Sequence, residues 1–327
     1  MKSPSEIALF SLDAGADFLA QIARHLGVAP GRHEERHFED GESKIRPLDN
    51  VRGRDIYLIQ SLYSEAGESV NDKLVRLLIF IGGLRDAGAG RITALIPYLC
   101  YARKDRKTKA RDPLATRYIA QLLEAVGTDR VCVLDVHNLA AYQNAFRCQT
   151  DHLTAQKLLI QHFLPELEKA DICIASPDIG GVKRAELFRD ALSRSLQRPI
   201  GFAFMEKQRS SGVVSGELVV GEVAGRIVLM VDDMIVSGGT LSRAATAFSK
   251  AGAQHVFAAA SHAMFTESAA QALANSAIAK IAVTNSVPLH LPAGFPREKI
   301  AVVDIAPLLA DAIRALHAGG SIVELLE

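Results

Sequence analysis

Short apolar segments with the composition of buried strands recur along the chain, and their regular spacing constrains the fold more than any other feature. Helical stretches separate many of these segments, and alternation of strand and helix is typical of α/β proteins with parallel sheets. We therefore predict an α/β fold. The predicted strands span residues 7–11, 55–60, 91–97, 131–136, 172–176, 201–205, 227–231, 255–260, 281–283 and 300–303.

A repeated local pattern hints at two similar halves. A glycine that ends a helix is followed by a short link into a strand at residues 87–92, 126–131 and 251–256. With 327 residues, the chain is long enough for two domains. The predicted organisation is a first domain over residues 1–153, a second over 154–305, and a C-terminal segment, 306–327, whose helix packs back on the first domain.

The charge balance and hydropathy of the chain argue against several classes of partner. Lys+Arg and Asp+Glu both number 37, so no net charge draws the chain towards nucleic acid or an anionic membrane. The apolar runs are shorter than the roughly 18 residues of a membrane span, and no secretion signal is evident. We expect a cytoplasmic protein without nucleic-acid or membrane partners, in which Cys132 and Cys173 are buried and reduced.

Two predicted helices have distinctive patterns. For residues 113–126, Asp112 suits the N-cap, Pro113 the first helical position and Gly127 the position after the last turn. Residues 72–86 are apolar nearly all round, which predicts a helix buried on several sides, against the core and a second subunit.

The segment after the strand Ile227–Val231 has the composition of an anion-binding loop. Two acids, Asp232 and Asp233, are followed by Ser237-Gly238-Gly239-Thr240 and then by good helix formers. The two glycines allow several backbone N–H groups to converge beside the positive end of a helix, where a phosphate binds well. The acids suit sugar hydroxyls, so the loop predicts a ribose 5-phosphate site. The alternative is a plain strand–turn–helix in which the glycines form only a tight turn.

A second loop has the same order of acid, two glycines and helix. It closes the strand at 172–176 and contains Asp178, Gly180 and Gly181. Its amides could hold a second phosphate group, and Asp178 could bind a metal ion between the groups.

Three further features carry charge or a titratable ring near predicted strand ends. His137 ends the strand at 131–136; Mg²⁺ prefers oxygen ligands, so contact with a triphosphate or a metal-bound water suits this histidine better than direct ligation. Lys207 and Arg209 begin a polar, glycine-containing segment that we expect to be flexible, and they could clamp a transferring group or be ordinary surface charges. The segment 101–112 is rich in basic residues, which suits binding of a polyphosphate; the alternative is a solvated, mobile loop. Its basic residues are Arg103, Lys104, Arg106, Lys107, Lys109 and Arg111.

In these motifs the chain resembles the ribose-phosphate pyrophosphokinases (PRPP synthetases), within the type I phosphoribosyltransferase superfamily. The motifs that carry the resemblance are residues 38–42, 97–106, 135–137, 176–182, 207–209 and 231–241. The resemblance implies two phosphoribosyltransferase-like domains, each with a mainly parallel sheet flanked by helices. It also implies a homodimer that builds a homohexamer and makes PRPP and AMP from ATP and ribose 5-phosphate with Mg²⁺.

The same resemblance assigns roles to individual residues. Lys207 would be the catalytic lysine, with Arg209 beside it, and His137 and Asp178 would form the Mg²⁺ site. Asp178, Gly180 and Gly181 would form the diphosphate loop. The ATP-binding residues would be Phe38, Asp40, Gly41, Glu42, Arg103, Lys104, Asp105 and His137. The ribose 5-phosphate-binding residues would be Asp232, Asp233, Ser237, Gly238, Gly239 and Thr240.

The chain departs from the family pattern at four places. Lys104 replaces a usual glutamine, Val236 and Ser237 stand where an acid and a threonine are usual, the segment 138–147 differs in length and sequence, and residues 321–324 differ from the common ending. The last two departures predict weaker or absent regulation by ADP and phosphate. Two alternatives to the synthetase are a phosphoribosyltransferase that consumes PRPP and a non-catalytic regulatory homologue of the synthetase.

Overall fold

The computed structural model describes residues 6–210 and 213–326, without the side chains of residues 207–210 and 213–217. Up to residue 154 its elements are β1 Ile7–Phe10, α1 Ala16–Leu26, β2 His33–His37, β3 Ser43–Pro47, β4 Asp55–Ile59, α2 Val70–Asp86, β5 Arg91–Ile96, α3 Ala115–Ala125, β6 Arg130–Leu134, α4 Leu139–Ala145 and β7 Gln149–Leu153. The elements that follow are α5 Gln156–Leu167, β8 Ile172–Ser176, α6 Val182–Leu196, β9 Gly201–Ser210, β10 Val213–Val220, β11 Ile227–Ile235, α7 Gly239–Lys250, β12 His255–Ala263, α8 Glu267–Ala274, β13 Ile278–Thr284, β14 Ile300–Val303, α9 Ala306–His317 and α10 Val323–Leu326.

The chain divides into two compact units. Unit 1 contains the residues up to Thr154 together with Ile305–Leu326, and unit 2 contains Ala155–Asp304. The sheet of unit 1 has the strand order β1-β4-β5-β6-β7, with every neighbouring pair parallel. Strands β2 and β3 form a separate antiparallel hairpin that packs against α2.

The sheet of unit 2 has the strand order β10-β9-β8-β11-β12-β13-β14. Its neighbouring strands are parallel except for β10, which pairs antiparallel with β9. Strand β8 is flanked by β9 on one side and β11 on the other, so the chain changes direction across the sheet at this strand. The predicted α/β class with mainly parallel sheets is confirmed.

The C-terminal helix α9 belongs to unit 1 and packs against α1. One face of α9 is buried, and His317 Nδ1 lies 2.7 Å from Asp55 Oδ2 at the start of β4. Arg91, at the start of β5, donates to the carbonyl of Leu316 at 3.2 Å. These bonds tie the end of the chain to the starts of two sheet strands.

Helix α2 has a buried and an exposed apolar face. Ser69 and Asp72 form a capping box at its start, and Leu77 and Phe80 are fully buried. On the other face, Val75 is 52% exposed and Ile79 is 45% exposed in the single chain. Coverage of this face by a second subunit stays a prediction.

The predicted start of the helix at residues 113–126 is wrong by two residues. Helix α3 begins at Ala115, after Leu114, without a side-chain cap. The carboxylate of Asp112 instead accepts the backbone N–H groups of Thr108 and Lys109, at 3.1 and 2.9 Å. Asp112 therefore stabilises the turn before the helix, because its carboxylate accepts these two amides and not one from the first turn of α3. The end is as predicted, with Gly127 at φ +98°.

Candidate functional site

The two acid–glycine loops of unit 2 lie side by side at one edge of the sheet. Their glycine segments follow β8 and β11, which are parallel neighbours with Ala175 opposite Met230. The predicted end of the second strand at Val231 is wrong, because β11 runs to Ile235 and contains Asp232 and Asp233. Because β9 lies on the other side of β8, this edge is a topological switch point, where α/β proteins bind ligands. The strand order therefore brings together two loops that are about fifty residues apart in the chain.

The loop Ser237–Thr240 forms the start of helix α7. Gly238 has φ +70°, in the left-handed region that favours glycine, and it is the N-cap of the helix. Among the described residues no side chain caps the first turn, so its amides have no competing carboxylate or hydroxyl cap there. A Cβ at position 238 would lie 2.8 Å from Leu273 Cγ, so the loop approaches helix α8 closely. The geometry suits an anion at the helix N-terminus.

The acid pair before this loop is largely enclosed. Asp233 is 2% exposed, and its backbone N–H donates to Asp232 Oδ1 at 2.9 Å. Burial and, secondarily, the charge of Asp233 raise the pKa of Asp232 to about 8. Near neutral pH the pair Asp232 and Asp233 therefore holds a proton more readily than an isolated carboxylate would, at the place where a sugar hydroxyl would be bound.

Arg184 is a site residue that the sequence analysis missed. Its Nη1 atom lies 3.2 Å from Asp232 Oδ1 and 3.3 Å from Asp233 Oδ1. Arg184 belongs to the first turn of α6, three residues after Gly181. The sequence contained an indication of this role. A cation in the first turn of a helix interacts unfavourably with the helix dipole, so Arg184 at this position favours a nearby anionic partner.

The predicted diphosphate loop, which contains Asp178, Gly180 and Gly181, is closed by its own hydrogen bonds. The Gly181 N–H donates to Asp178 Oδ1 at 3.2 Å, and Ser176 Oγ donates to the Asp178 carbonyl at 2.6 Å. A Cβ at position 181 would lie 2.7 Å from Ser176 Oγ, which explains the second glycine. The Gly181 amide is directed at Asp178, so a phosphate at this loop would have to displace that bond or use the more exposed amide of Gly180.

In unit 1, the loops after β5 and β6 meet at one edge of the sheet. Asn138 Nδ2 donates to Asp105 Oδ2 at 2.6 Å, which joins the segment after Arg103 and Lys104 to the segment after His137. The side chains of Arg103, Lys104 and His137 are exposed. The structure thus brings the loop that contains Arg103 and Lys104 into contact with the loop that follows His137.

The backbone of these loops is held in uncommon conformations. Tyr101 has φ +59° and Asp135 has φ +41°, both in the left-handed region although neither is glycine. Thr116, in the first turn of α3, holds the first loop by donating its hydroxyl to the Tyr101 carbonyl at 2.9 Å and its N–H to the Lys104 carbonyl at 3.3 Å. Such strain often marks functional sites, and here it lies directly beside the predicted nucleotide-binding residues.

The predicted adenine-binding residues form the turn between β2 and β3. Phe38 N–H donates to the Glu42 carbonyl at 2.9 Å, and Gly41 has φ +90°. Asp40 Oδ1 accepts the Glu42 N–H at 3.1 Å. The Phe38 ring is 39% exposed, with the Arg36 guanidinium 5.1 Å from its centroid. An exposed aromatic ring at a hairpin tip is available for stacking on a base.

Lys207 and Arg209 lie on strand β9, where their backbones pair with Glu217 and Val214 of β10. Their side chains lie outside the described residues, so their role stays a prediction. The segment after Met205, which the sequence analysis expected to be flexible, pairs as strands on both sides of residues 211 and 212.

Comparisons with known proteins cover most of the chain. The family model of the N-terminal domain of ribose phosphate pyrophosphokinase matches residues 7–127, and that of a phosphoribosyl synthetase-associated domain matches residues 207–327. The chain is 37% identical over 317 residues to a ribose-phosphate pyrophosphokinase of Gloeobacter violaceus, covering 97% of this chain and 92% of that protein. It is also 37% identical over 313 residues to that of Pasteurella multocida, covering 95% and 96%.

A solved structure agrees with these relatives. The crystal structure of phosphoribosylpyrophosphate synthetase from Mycobacterium smegmatis matches with a TM-score of 0.87 at 36% identity, covering 97% of this chain and all of that one. The resemblance drawn from the motifs is confirmed, as is the fold class of two phosphoribosyltransferase-like domains. The chain therefore belongs to the ribose-phosphate pyrophosphokinase (PRPP synthetase) family of enzymes.

Proposed function

We propose that this chain transfers the diphosphoryl group of Mg-ATP to the 1-hydroxyl of ribose 5-phosphate, giving PRPP and AMP. The observation that carries the proposal is the uncapped helix N-terminus at Gly238, which lies shortly after the acids Asp232 and Asp233 in the last part of β11. The similarity of the whole chain to ribose-phosphate pyrophosphokinases supports the same reaction.

Ribose 5-phosphate binds in unit 2. Its phosphate accepts N–H groups from the first turn of α7, together with the hydroxyls of Ser237 and Thr240. Its ring hydroxyls donate to Asp232 and Asp233, which Arg184 holds in position through one guanidinium nitrogen. Phosphate binding at one end of the sugar and hydroxyl binding at the other fix the direction in which its 1-hydroxyl points.

ATP binds through residues of unit 1. Arg103 and Lys104 neutralise the phosphates from the loop that Thr116 and Asn138 hold in place. Phe38 stacks on the adenine. By analogy with the family, this hairpin tip would reach into the site of a neighbouring subunit. Such an arrangement needs at least a homodimer, and the exposed apolar residues Val75 and Ile79 of α2 support a contact with a second subunit. The homohexamer is what the resemblance to the family implies.

The reaction is an in-line displacement at the β-phosphorus. The 1-hydroxyl oxygen forms a bond to that phosphorus, the bond to the oxygen bridging the α- and β-phosphates breaks, and AMP leaves with that oxygen. The hydroxyl proton passes to solvent. Such a transfer needs positioning and charge neutralisation more than covalent catalysis. Lys207 and Arg209 supply positive charge where negative charge develops in the transition state.

The donor types available at the diphosphate loop fit a magnesium ion. Asp178 offers a carboxylate whose orientation is set by the Gly181 N–H, and Mg²⁺ prefers oxygen ligands. His137 suits a metal-bound water or a phosphate better than the metal itself. When bound, Mg²⁺ would neutralise phosphate charge.

A single assay tests the reaction against its alternatives. Purified protein is incubated with ATP, Mg²⁺ and ribose 5-phosphate, without any nucleobase, and AMP and PRPP are measured. Equal amounts of both products are expected. A phosphoribosyltransferase would give neither product without PRPP and a base. A regulatory homologue would be silent alone and would change the rate of an active synthetase when the two are mixed.

A further inference from the structure

Three potential metal ligands converge in unit 1 away from the loops described above. Asp13 lies in the 3-10 turn before α1, and His33 and Glu35 lie on β2. One ligand atom from each residue lies within 4.8 Å of the other two. His33 Nε2 is 3.2 Å from Asp13 Oδ1 and 4.0 Å from Glu35 Oε2.

The histidine presents a buried ring nitrogen to this cluster. His33 Nε2 is inaccessible to solvent and has no hydrogen-bond partner within the part of the chain that the structure describes. The imidazole packs 5.4 Å from the Phe80 ring, centroid to centroid, so its orientation is restricted. A bound metal ion would give this nitrogen a bonding partner; without one, the nitrogen lies 3.2 Å from Asp13 Oδ1.

Glu35 is oriented towards the cluster by its other contacts. Its side chain is fully buried, and its Oε1 atom pairs with the guanidinium of Arg76. Its Oε2 atom accepts the backbone N–H of Asp13 at 2.9 Å and faces His33. One oxygen is thus occupied by a cation that offsets its charge, and the other belongs to the cluster. Contacts of this kind, made by atoms of a ligand that do not bind the metal, fix the orientation of the ligand.

We propose that Asp13, His33 and Glu35 bind one divalent ion of the zinc type. Zinc bonds of about 2.0–2.2 Å place neighbouring ligand atoms of a tetrahedron about 3.4 Å apart. The His33–Asp13 distance of 3.2 Å is close to that value, and the His33–Glu35 distance of 4.0 Å would have to shorten by about 0.6 Å when the ion binds. An imidazole nitrogen with two carboxylates favours zinc over magnesium, which prefers oxygen ligands. Asp13 is 66% exposed, so water can complete the coordination.

The ion would join the turn before α1 to the β2–β3 hairpin. Its role would therefore be to stabilise the hairpin whose tip carries the turn at residues 38–42. The site differs from the proposed magnesium site in residues, ligand type and place in the chain. A purely ionic cluster, in which a protonated His33 pairs with Asp13, is the competing account, and it predicts no metal affinity.

The test measures metal binding without turnover. Untagged protein is stripped with a chelator and titrated by calorimetry with Zn²⁺ in the presence of excess Mg²⁺, without nucleotide. The expected result is about one equivalent of zinc and a rise in melting temperature. Asp13→Asn should weaken the affinity by at least ~10-fold. Asp17→Asn, at an exposed aspartate on α1, is the matched control and should bind as the wild type does.

A second pair of variants and a spectroscopic probe complete the test. His33→Gln should lose the site, whereas His25→Gln, at an exposed histidine of α1, should retain it. Co²⁺ should give visible d–d absorption in the wild type that Asp13→Asn lacks. If His33→Gln fails to fold, the surface variant Asp13→Asn still decides. Equal zinc affinity in Asp13→Asn and wild type, or no binding by either, would overturn the proposal whatever the assay for AMP shows.

Discussion

Gly238 meets two separate requirements at the residue scale. Its φ of +70° disfavours any side chain, and the space where a Cβ would stand is taken by Leu273. A substitution therefore has to strain the backbone and displace the neighbouring helix at the same time.

Gly238→Ala should destabilise unit 2 and weaken binding of ribose 5-phosphate. The left-handed conformation alone costs about 1–2 kcal/mol, and loss of one amide bond to phosphate should weaken binding about 10–100-fold. Calorimetric titration with ribose 5-phosphate and urea unfolding measure the two effects. Gly225→Ala is the control, because Gly225 has φ +73° and a Cβ there would meet no described atom within 4 Å. Equal sugar-phosphate affinity in both variants would contradict the assignment of the phosphate site to this loop.

Asp232 makes the stability of the unliganded protein depend on pH. Because its pKa is raised to about 8 in the folded state, the folded protein holds a proton that the unfolded chain has already lost. Stability is therefore greatest below the unfolded-state pKa and is lost as pH rises through about 8.

Asp232→Asn should remove this loss and weaken binding of ribose 5-phosphate. The free energy of unfolding of the variant should exceed that of the wild type by more at about pH 9 than at about pH 5. Urea unfolding without ligand at both pH values measures the difference. Asp171→Asn, at an exposed carboxylate just before β8, should leave the wild-type pH dependence unchanged. A gap between Asp232→Asn and wild type that does not grow with pH would argue against a raised pKa.

Lys207 is expected to act on the rate rather than on binding. Lys207→Ala should lower the turnover number by on the order of 10²–10³-fold and leave the dissociation constant for ribose 5-phosphate unchanged. Steady-state AMP formation and calorimetry measure the two quantities. Lys169→Ala, at an exposed lysine of the same unit, is the control, and unchanged turnover in Lys207→Ala would refute the role.

At the scale of elements, an ionic cluster joins α2 to the β2–β3 hairpin. Lys73 is fully buried on α2, where it pairs with Glu65 and lies 3.4 Å from the centroid of the Tyr63 ring. Burial lowers the pKa of Lys73, and the neighbouring Glu65 partly offsets this. One turn further along α2, Arg76 pairs with Glu35 of β2 and with Glu68. Polar bonds, rather than apolar packing alone, therefore fix the hairpin against the helix.

Arg76→Met should destabilise this contact strongly. It leaves the carboxylate of Glu35 buried without its cation, and removal of one partner of a buried pair costs about 3–5 kcal/mol. Chemical unfolding should show the loss, and the double variant with Glu35→Gln should recover part of it. Arg32→Met, which breaks an exposed pair with Asp49, should change stability little. If Arg76→Met and Arg32→Met lower the free energy of unfolding equally, the buried pair contributes no more to stability than the exposed pair does.

At the scale of the whole molecule, the end of the chain completes its first unit. Helix α9 buries a continuous apolar face in unit 1 and bonds to the starts of β4 and β5. The buried apolar residues of α9 are Ala306, Leu308, Leu309, Ala310, Ala312, Ile313 and Leu316. Unit 1 is therefore complete only when the last part of the chain is present.

Deletion of residues 306–327 should prevent unit 1 from folding. Each buried leucine or isoleucine contributes about 1.5–3 kcal/mol, so the four in α9 together match the whole stability of a typical domain. Hydrogen exchange of β4 and β5 should show lost protection. Deletion of residues 318–327 is the control, because α10 has no buried residues among those described. Retained protection in the longer deletion would show that α9 is dispensable.

Within the described part of the chain, no helix is both long and apolar enough to cross a membrane. This agrees with the prediction from the sequence, because the buried apolar residues lie in short sheet strands and on the core-facing sides of helices. Four of the strands that the structure describes, β2, β3, β7 and β10, were not predicted from the sequence. Strands β2, with the sequence HEERH, and β7, with QTDHL, have no apolar alternation to reveal them. Strand β10, with VVSGELVV, has apolar residues at both ends, but its serine and glycine favoured a flexible segment.

The amino-acid sequence by itself determined the features that depend on short-range requirements. Parallel strands can be recognised in the sequence as apolar runs. The predicted anion-binding loop can be recognised as two glycines before a helix, because the backbone conformation of Gly238 disfavours other side chains. Tertiary structure alone decided which distant groups meet. Arg184 reaches the acid pair and Asn138 reaches Asp105 because strand order, which no local pattern encodes, sets the neighbours of each loop. His33 reaches Asp13 because the separate β2–β3 hairpin lies beside the turn before α1.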